Sequence, residues 1–198
     1  MPDDPDLAAL LGSRICHDLI SPLGAIGNGV ELILLEGGRH SPEMALISES
    51  VAHASARIRF FRVAFGTGTA EQRMGRPEVA SILADITRGG RLKVEWQPAG
   101  DLLRREVKLV FLAFLCLETA MPWGGSVIFE RTGAGWRVEA RAPRLRHESG
   151  LWEVAAGAPA PEGLSAAQVH FALFGRELDL AGRALQVTRH AEGIGLAF

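Results

Sequence analysis

Between Leu7 and Ile33 the residues Leu7, Leu11, Ile15, Leu19, Pro22, Ile26, Val30 and Ile33 return at three- and four-residue steps. That spacing lays them along one face of an α-helix, and a chain that begins this way must bury the face against something. The stripe predicts a helix over residues 7–35, ended by Gly37 and Gly38. His17 is off the stripe. At about 100° per residue it shares a face with Arg14, Ser21, Gly24 and Asn28, so its imidazole is expected to point outward from mid-helix.

The composition of that helix is costly for a purely structural element. Gly24, Gly27 and Gly29 each weaken a helix by about 1 kcal/mol relative to Ala. Pro22 removes a backbone donor, at about 3 kcal/mol in a helix interior. Glycines around a histidine leave room for another protein's backbone to come close, and the proline allows a kink beside it.

A second helix follows. Ser41, Pro42 and Glu43 supply an N-cap, a first-turn proline and a first-turn acid. Met44, Ile47, Val51, Ala54, Ile58, Phe61 and Phe65 then keep an a/d heptad stripe. Glu49, His53, Arg57, Arg59 and Arg62 fall on its other faces, and His53 is expected to be only a solvated helix residue. Helix one is apolar over more than one stripe, with Leu10, Leu23, Leu32, Leu34 and Leu35 beside the main row. A single two-helix hairpin cannot cover that surface. A second copy can, and the expectation is a homodimer built on a four-helix bundle.

The residues His17-Asp18 followed by Ser21-Pro22-Leu23 resemble the phosphoacceptor box of sensor histidine kinases. The longer run from His17 through Asn28 to Leu32 resembles the ChpT-type histidine phosphotransferases of bacterial phosphorelays. Ile20 stands where the kinases usually carry Arg, which argues against an ordinary kinase. The resemblance implies that His17 carries a phosphoryl group. It makes Asp18 the candidate for biasing which ring nitrogen is free, although a sequence neighbour on a helix points another way. It places Arg14, Ile20, Ser21, Gly24 and Asn28 on the partner-binding face. It also implies that Mg²⁺ comes from the receiver partner, with no cofactor or metal held by this chain. The implied partners are the receiver of a CckA-like hybrid kinase and CtrA- and CpdR-like response regulators.

Residues 66–75 are polar, glycine-bearing and aperiodic, the composition of a linker. They divide the chain into a hairpin domain, residues 1–68, and a second domain, residues 76–198. The second domain predicts helix 77–88, strand 91–97, a helix over 102–120 that is apolar all round, a hairpin of strands 126–131 and 136–141, helix 165–180 capped by Ser165, and a closing hairpin of strands 184–189 and 194–198. Residues 145–163 give no clear pattern beyond a short helix at 151–156.

The expectation is therefore an α+β protein, its second domain an α/β sandwich. The element order resembles a degenerate Bergerat fold, the ATP-binding domain of histidine kinases. That family holds Mg-ATP with an Asn-rich motif on the long helix, but residues 114–120 contain no Asn. It also needs an Asp-x-Gly-x-Gly loop after the hairpin, and residues 142–150 provide none. Glu118 is a weak stand-in for the Asn, and Gly193 and Gly195 look more like turn glycines than a phosphate cradle. Nucleotide binding is not expected. A divergent ATP-dependent histidine kinase and a non-catalytic dimeric scaffold are the competing readings.

The charge balance of −2 gives nucleic-acid binding no support. Residues 109–117, the longest apolar run, are too few to span a bilayer. The acidic N-terminus has no signal-peptide pattern. Cys16 and Cys116 give neither a disulfide framework nor a metal spacing and are expected as reduced thiols in a bacterial cytoplasm.

Overall fold

The computed structural model describes residues 42–66, 71–133, 135–146 and 149–198, and residues 15, 18, 19, 22, 25, 26, 28, 29, 32 and 33 of the N-terminal segment. Every described residue between 15 and 33 is helical. The periodic stripe is therefore met by a helix, and Ile15, Leu19, Pro22, Ile26 and Ile33 are half-buried along it.

Helix α1 runs over Pro42–Ala64 with Glu43 in its first turn and Arg62 in its last, the charge arrangement that suits the helix dipole. The two helices meet at Gly29. A Cβ there would overlap the Ile47 side chain and lie 3.2 Å from the Glu43 carbonyl. Gly29 thus serves the contact between the two helices of one chain, which corrects the expectation that it clears space for a partner.

The heptad stripe of α1 splits in two. Its d positions Ala54 and Phe61 are buried, while the a positions Met44, Val51 and Ile58 are 37%, 46% and 46% exposed. The other end of the helix turns its apolar side chains toward the rest of the chain. Phe60 stacks on Phe111 with ring centroids 4.4 Å apart and near-parallel planes, and leans on Phe114 at 5.7 Å. Phe60, Phe61, Val63 and Ala64 belong to the same core as the C-terminal half, so packing is continuous across the expected linker. That linker also holds a strand, β1 (Arg73–Met74).

Helix α2 (Arg76–Thr87) starts with Pro77 in its first turn and buries Val79, Ile82 and Leu83. Strand β2 (Leu92–Trp96) alternates as expected, with Lys93 and Glu95 outward. Leu102–Leu103 pair antiparallel with β1 as a short strand, β3, and not as the first turn of a helix. The helix α3 begins at Arg104 and ends at Ala120. Its residues Leu109–Leu117 are all buried, which makes it the central helix. Arg104, in its first turn, reaches back to cap the end of α1, donating to the carbonyls of Arg62 and Gly66. Guanidinium donors there satisfy carbonyls that a helix terminus leaves open.

Strands β4 (Gly125–Thr132) and β5 (Gly135–Arg141) form the expected hairpin. Short helix α4 (Ser149–Ala155) packs Leu151, Trp152, Val154 and Ala155 inward. A 3-10 turn (Ala166–Gln168) leads into α5 (Val169–Leu180), and the Ser165 N–H donates to the Gln168 side chain. Gly175 of α5 lets the end of α4 approach, since a Cβ would lie 2.7 Å from the Val154 carbonyl. The chain closes with β6 (Gln186–His190) and β7 (Gly193–Ala197).

The main sheet has the order β2-β4-β5-β7-β6, with β2 and β4 parallel and the other pairs antiparallel. The parallel pair requires a crossover, which α3 supplies. Val127, Phe129, Trp136, Val138, Ala140, Ile194 and Leu196 turn to one side and are buried with α3 and α5. The result is a two-layer α+β architecture. Gly193 and Gly195 sit inside β7 and not in a turn. A Cβ at Gly193 would overlap the Ala140 carbonyl, so the glycine serves strand packing.

At the first turn of α3, Glu106 is buried and accepts from the Trp136 indole at 2.9 Å and from Arg183 at 2.9 Å, with Arg131 at 3.7 Å. A buried carboxylate needs such partners. Here it ties central helix, sheet and the segment before β6 together, far along α3 from Glu118.

Candidate functional site

Of the residues that the sequence singles out, Asp18 and Asn28 are described. Arg14, His17, Ile20, Ser21 and Gly24 lie outside the described residues. Asn28 is helical and exposed, in keeping with a polar outer face for this helix. Asp18 is half-buried and lines a cleft of about 390 Å³.

Three elements build that cleft. The first helix contributes Asp18, Pro22 and Ala25. Helix α1 contributes Ser50, His53, Ala56 and Arg57. The end of α2 and the turn after it contribute Asp85, Ile86, Arg88, Gly89 and Gly90. Gly89 has φ +69°, a left-handed conformation that ends α2 sharply.

Arg57 is the organising group. Its guanidinium meets Glu118 of α3 in two bonds, Nη2 to Oε1 at 2.7 Å and Nη1 to Oε2 at 3.0 Å. The fork of Arg matches a carboxylate in this way, and Lys could not. Burial pulls the Arg57 guanidinium down, but Glu118 and then Asp18 raise it further than burial lowers it, so its charge is secure. Arg57 therefore stands between two acids. One is on the central helix, and the other directly follows His17 in sequence.

Next to it, Asp85 accepts from Arg59 at 2.9 Å and from Arg88 at 2.6 Å. Arg57 and Arg59 lie off the apolar stripe of α1. Both are used in ion pairs that join α1 to the C-terminal half. Glu118, the weak stand-in for the missing Asn, is engaged by Arg57. Among the described residues, no group of three or more His, Cys, Asp and Glu side chains is arranged to hold a metal ion, and no helix is long and apolar enough to cross a membrane. His53 is exposed at the cleft wall.

The sequence missed Arg57 as a site residue. A signal was present, since Glu118 is the acid that ends an apolar run in a helix buried on all sides, and such an acid needs a cation. Which cation it finds depends on how α1 docks.

Comparison with known proteins agrees with this architecture. The model of the histidine phosphotransferase C-terminal domain matches residues 76–193. Over 131 residues the chain is 43% identical to the protein phosphotransferase ChpT of Brucella abortus (strain 2308), a match covering 65% of this chain and 62% of that relative's length. A bacterial phosphotransferase structure solved at 1.7 Å is similar with a TM-score of 0.82 and 33% identity, over 97% of this chain and 95% of that one. With its residues 76–193 matched by the family model, and 97% of its length covered by a 33% identical phosphotransferase structure, the chain belongs to the ChpT-type histidine phosphotransferase family.

Proposed function

We propose that this protein is a histidine phosphotransferase of a bacterial two-component phosphorelay, moving a phosphoryl group between receiver-domain aspartates through His17. The observation that carries the reading is the position of Asp18, the residue after His17, in a cleft beside Arg57 and at the junction of hairpin and C-terminal domain. In the proposed reaction a ring nitrogen of His17 attacks phosphorus in line with the leaving carboxylate. The N–P bond forms as the P–O bond breaks, and the first receiver's aspartate leaves as carboxylate. The second receiver's aspartate then takes the group by the reverse displacement. Such transfers depend on positioning and charge stabilisation, and the receiver brings the Mg²⁺. Relay partners of the CckA, CtrA and CpdR kind follow from the family.

The working form is a homodimer with a four-helix bundle at its centre. Met44, Val51 and Ile58 repeat every seven residues on the outer face of α1 and are exposed in the single chain, which is the surface a second hairpin would cover. The C-terminal domain is a Bergerat-like scaffold that does not take nucleotide. The absence of the Asn-rich and Asp-x-Gly-x-Gly elements supports this. The cytoplasm is the compartment such a relay requires.

The experiment is incubation with a phosphorylated receiver, followed by mapping of acid-labile phosphate. Wild type is expected to label at His17, and His17→Ala is expected to lose the label while keeping native helicity. Label at another histidine would refute the assignment. Calorimetry with Mg-ATP is expected to give no saturable signal, and a signal would favour the kinase reading.

A further inference from the structure

Trp123 differs from the other tryptophans. Trp96, Trp136 and Trp152 are buried, while Trp123 is 42% exposed on the turn between α3 and β4. Arg144, which follows β5, holds its guanidinium 4.3 Å from the centre of the Trp123 ring. The turn itself is pinned. Gly124 has φ +96° and sits where a Cβ would collide with the Arg91 backbone, and the Gly125 N–H donates to the Arg91 carbonyl at 3.1 Å. The exposed ring is therefore presented on a fixed support and already stacked with a cation. Trp and Arg are the side chains in which interface binding energy concentrates, and a pre-set pair loses little freedom on docking.

This pair continues the face that holds Asp18. Pro122 and Gly124, on either side of Trp123, line a second cleft of about 250 Å³ with Arg57, Gly90, Arg91 and Glu118. The two clefts share Arg57, Ile86 and Gly90. The two clefts are lined by Arg57, Arg88 and Arg91 against Asp18, Asp85 and Glu118, and Arg59, paired with Asp85, and Arg144, over Trp123, add two cations beside them. Asp85 and Glu118 are already held by arginines. In a chain of net charge −2, this is a locally positive surface, suited to an acidic partner.

We propose that the Trp123–Arg144 pair is a second docking point for the receiver domain, on the C-terminal domain and outside the helical hairpin. The inference rests on the phosphotransfer reading. A receiver that offers an aspartyl phosphate and its neighbouring carboxylates presents an acidic side. A specific interface buries about 800 Å² per partner, more than one helix face supplies. A partner seated over the Asp18 cleft therefore extends across the Arg57–Glu118 pair to the Trp123 turn, where Trp123 gives apolar contact and Arg144 gives charge.

The test uses the full-length protein and the receiver domain of a hybrid histidine kinase from the same genome. Trp123→Ala and Arg144→Glu are each titrated with the unphosphorylated receiver, and phosphotransfer from the phosphorylated receiver is followed in parallel. The expected result is a rise of about tenfold in Kd and KM for each variant, the scale of a lost interface anchor. At saturating receiver, kcat should stay within about twofold, because the proposal gives both side chains a binding role only. Circular dichroism is expected to be native for both, since both residues are exposed. Unchanged Kd and KM in both variants would overturn the proposal. So would a weakened homodimer with normal receiver affinity, which would make the face a contact between copies. If wild type binds the receiver but takes no phosphate on His17, the functional reading fails, while the titration still decides whether the receiver uses this face.

Discussion

Arg57 of α1 and Glu118 near the end of α3 are joined by two hydrogen bonds of 3.0 and 2.7 Å, across 61 residues of sequence. Both side chains are about one-quarter exposed, so the pair is screened less than a surface ion pair and more than a fully buried one. Glu118→Gln is expected to cost about 1–2 kcal/mol, between the surface and buried limits. The double variant Arg57→Met with Glu118→Leu is expected to be more stable than either single change, because neither member of the pair is left facing an apolar replacement. Urea unfolding of wild type, Glu118→Gln, Arg57→Met, Glu118→Leu and the double variant checks both statements.

The exposed positions Met44, Val51 and Ile58 lead to a second prediction. Burying each is worth about 1.5–3 kcal/mol, and a carboxylate in the middle of that face would have no partner. Wild type is expected to be a dimer and Val51→Glu a folded monomer. Light scattering at micromolar concentration with circular dichroism reads the outcome, and a dimeric Val51→Glu protein would count against the bundle.

Two glycines of the first helix should behave in opposite ways. Gly29→Leu drives a side chain into Ile47 and the Glu43 carbonyl, and is expected to destabilise the hairpin by about 1–3 kcal/mol, the usual cost of overpacking. Gly24, outside the described residues, falls on the helical face of His17. Gly24→Leu is expected to raise helix propensity, by up to about 1 kcal/mol, and to block receiver binding while the dimer stays intact. Thermal unfolding and a receiver titration on both variants separate the two roles.

Cys116 is fully buried on α3, and burial pushes its thiol well above the ordinary value. Below about pH 8.5 the thiol is protonated in folded and unfolded chains alike, and its contribution to stability is complete. As pH rises beyond that, the unfolded chain ionises Cys116 and the folded chain does not, so stability falls until the pH passes the raised folded value. The stability advantage of wild type over Cys116→Ala is expected to be flat to about pH 8 and to shrink above it. Urea unfolding across pH 7–10 measures this. In a Cys16→Ala background, native protein is expected to resist thiol reagents at pH 7.

Much of the fold was legible because its signals are local. The alternation of Leu92, Val94 and Trp96 with Lys93 and Glu95 marks a half-buried strand whatever lies beside it. The unbroken run from Leu109 to Leu117 marks a buried helix. His17-Asp18 with Ser21-Pro22-Leu23 was informative as a string, since a phosphoacceptor helix carries its residue types in a row. Leu102 and Leu103 were misread as helix because their strand partners, Arg73 and Met74, are distant in sequence.

The sequence by itself determined the periodicities, and with them the elements, the apolar excess of the hairpin and the family of the His17 stretch. Tertiary structure decided which faces met. It placed Met44, Val51 and Ile58 outward and Phe60 against Phe111, though all lie on one helix. It gave Gly29 to Ile47 and Gly193 to Ala140. It brought Arg57 to Glu118 while leaving Asp18 within reach of the same charge. The physical reason is range. Helix and strand preferences act over a few residues, whereas an ion pair or a close glycine contact depends on the docking of elements tens of residues apart, which no local pattern encodes.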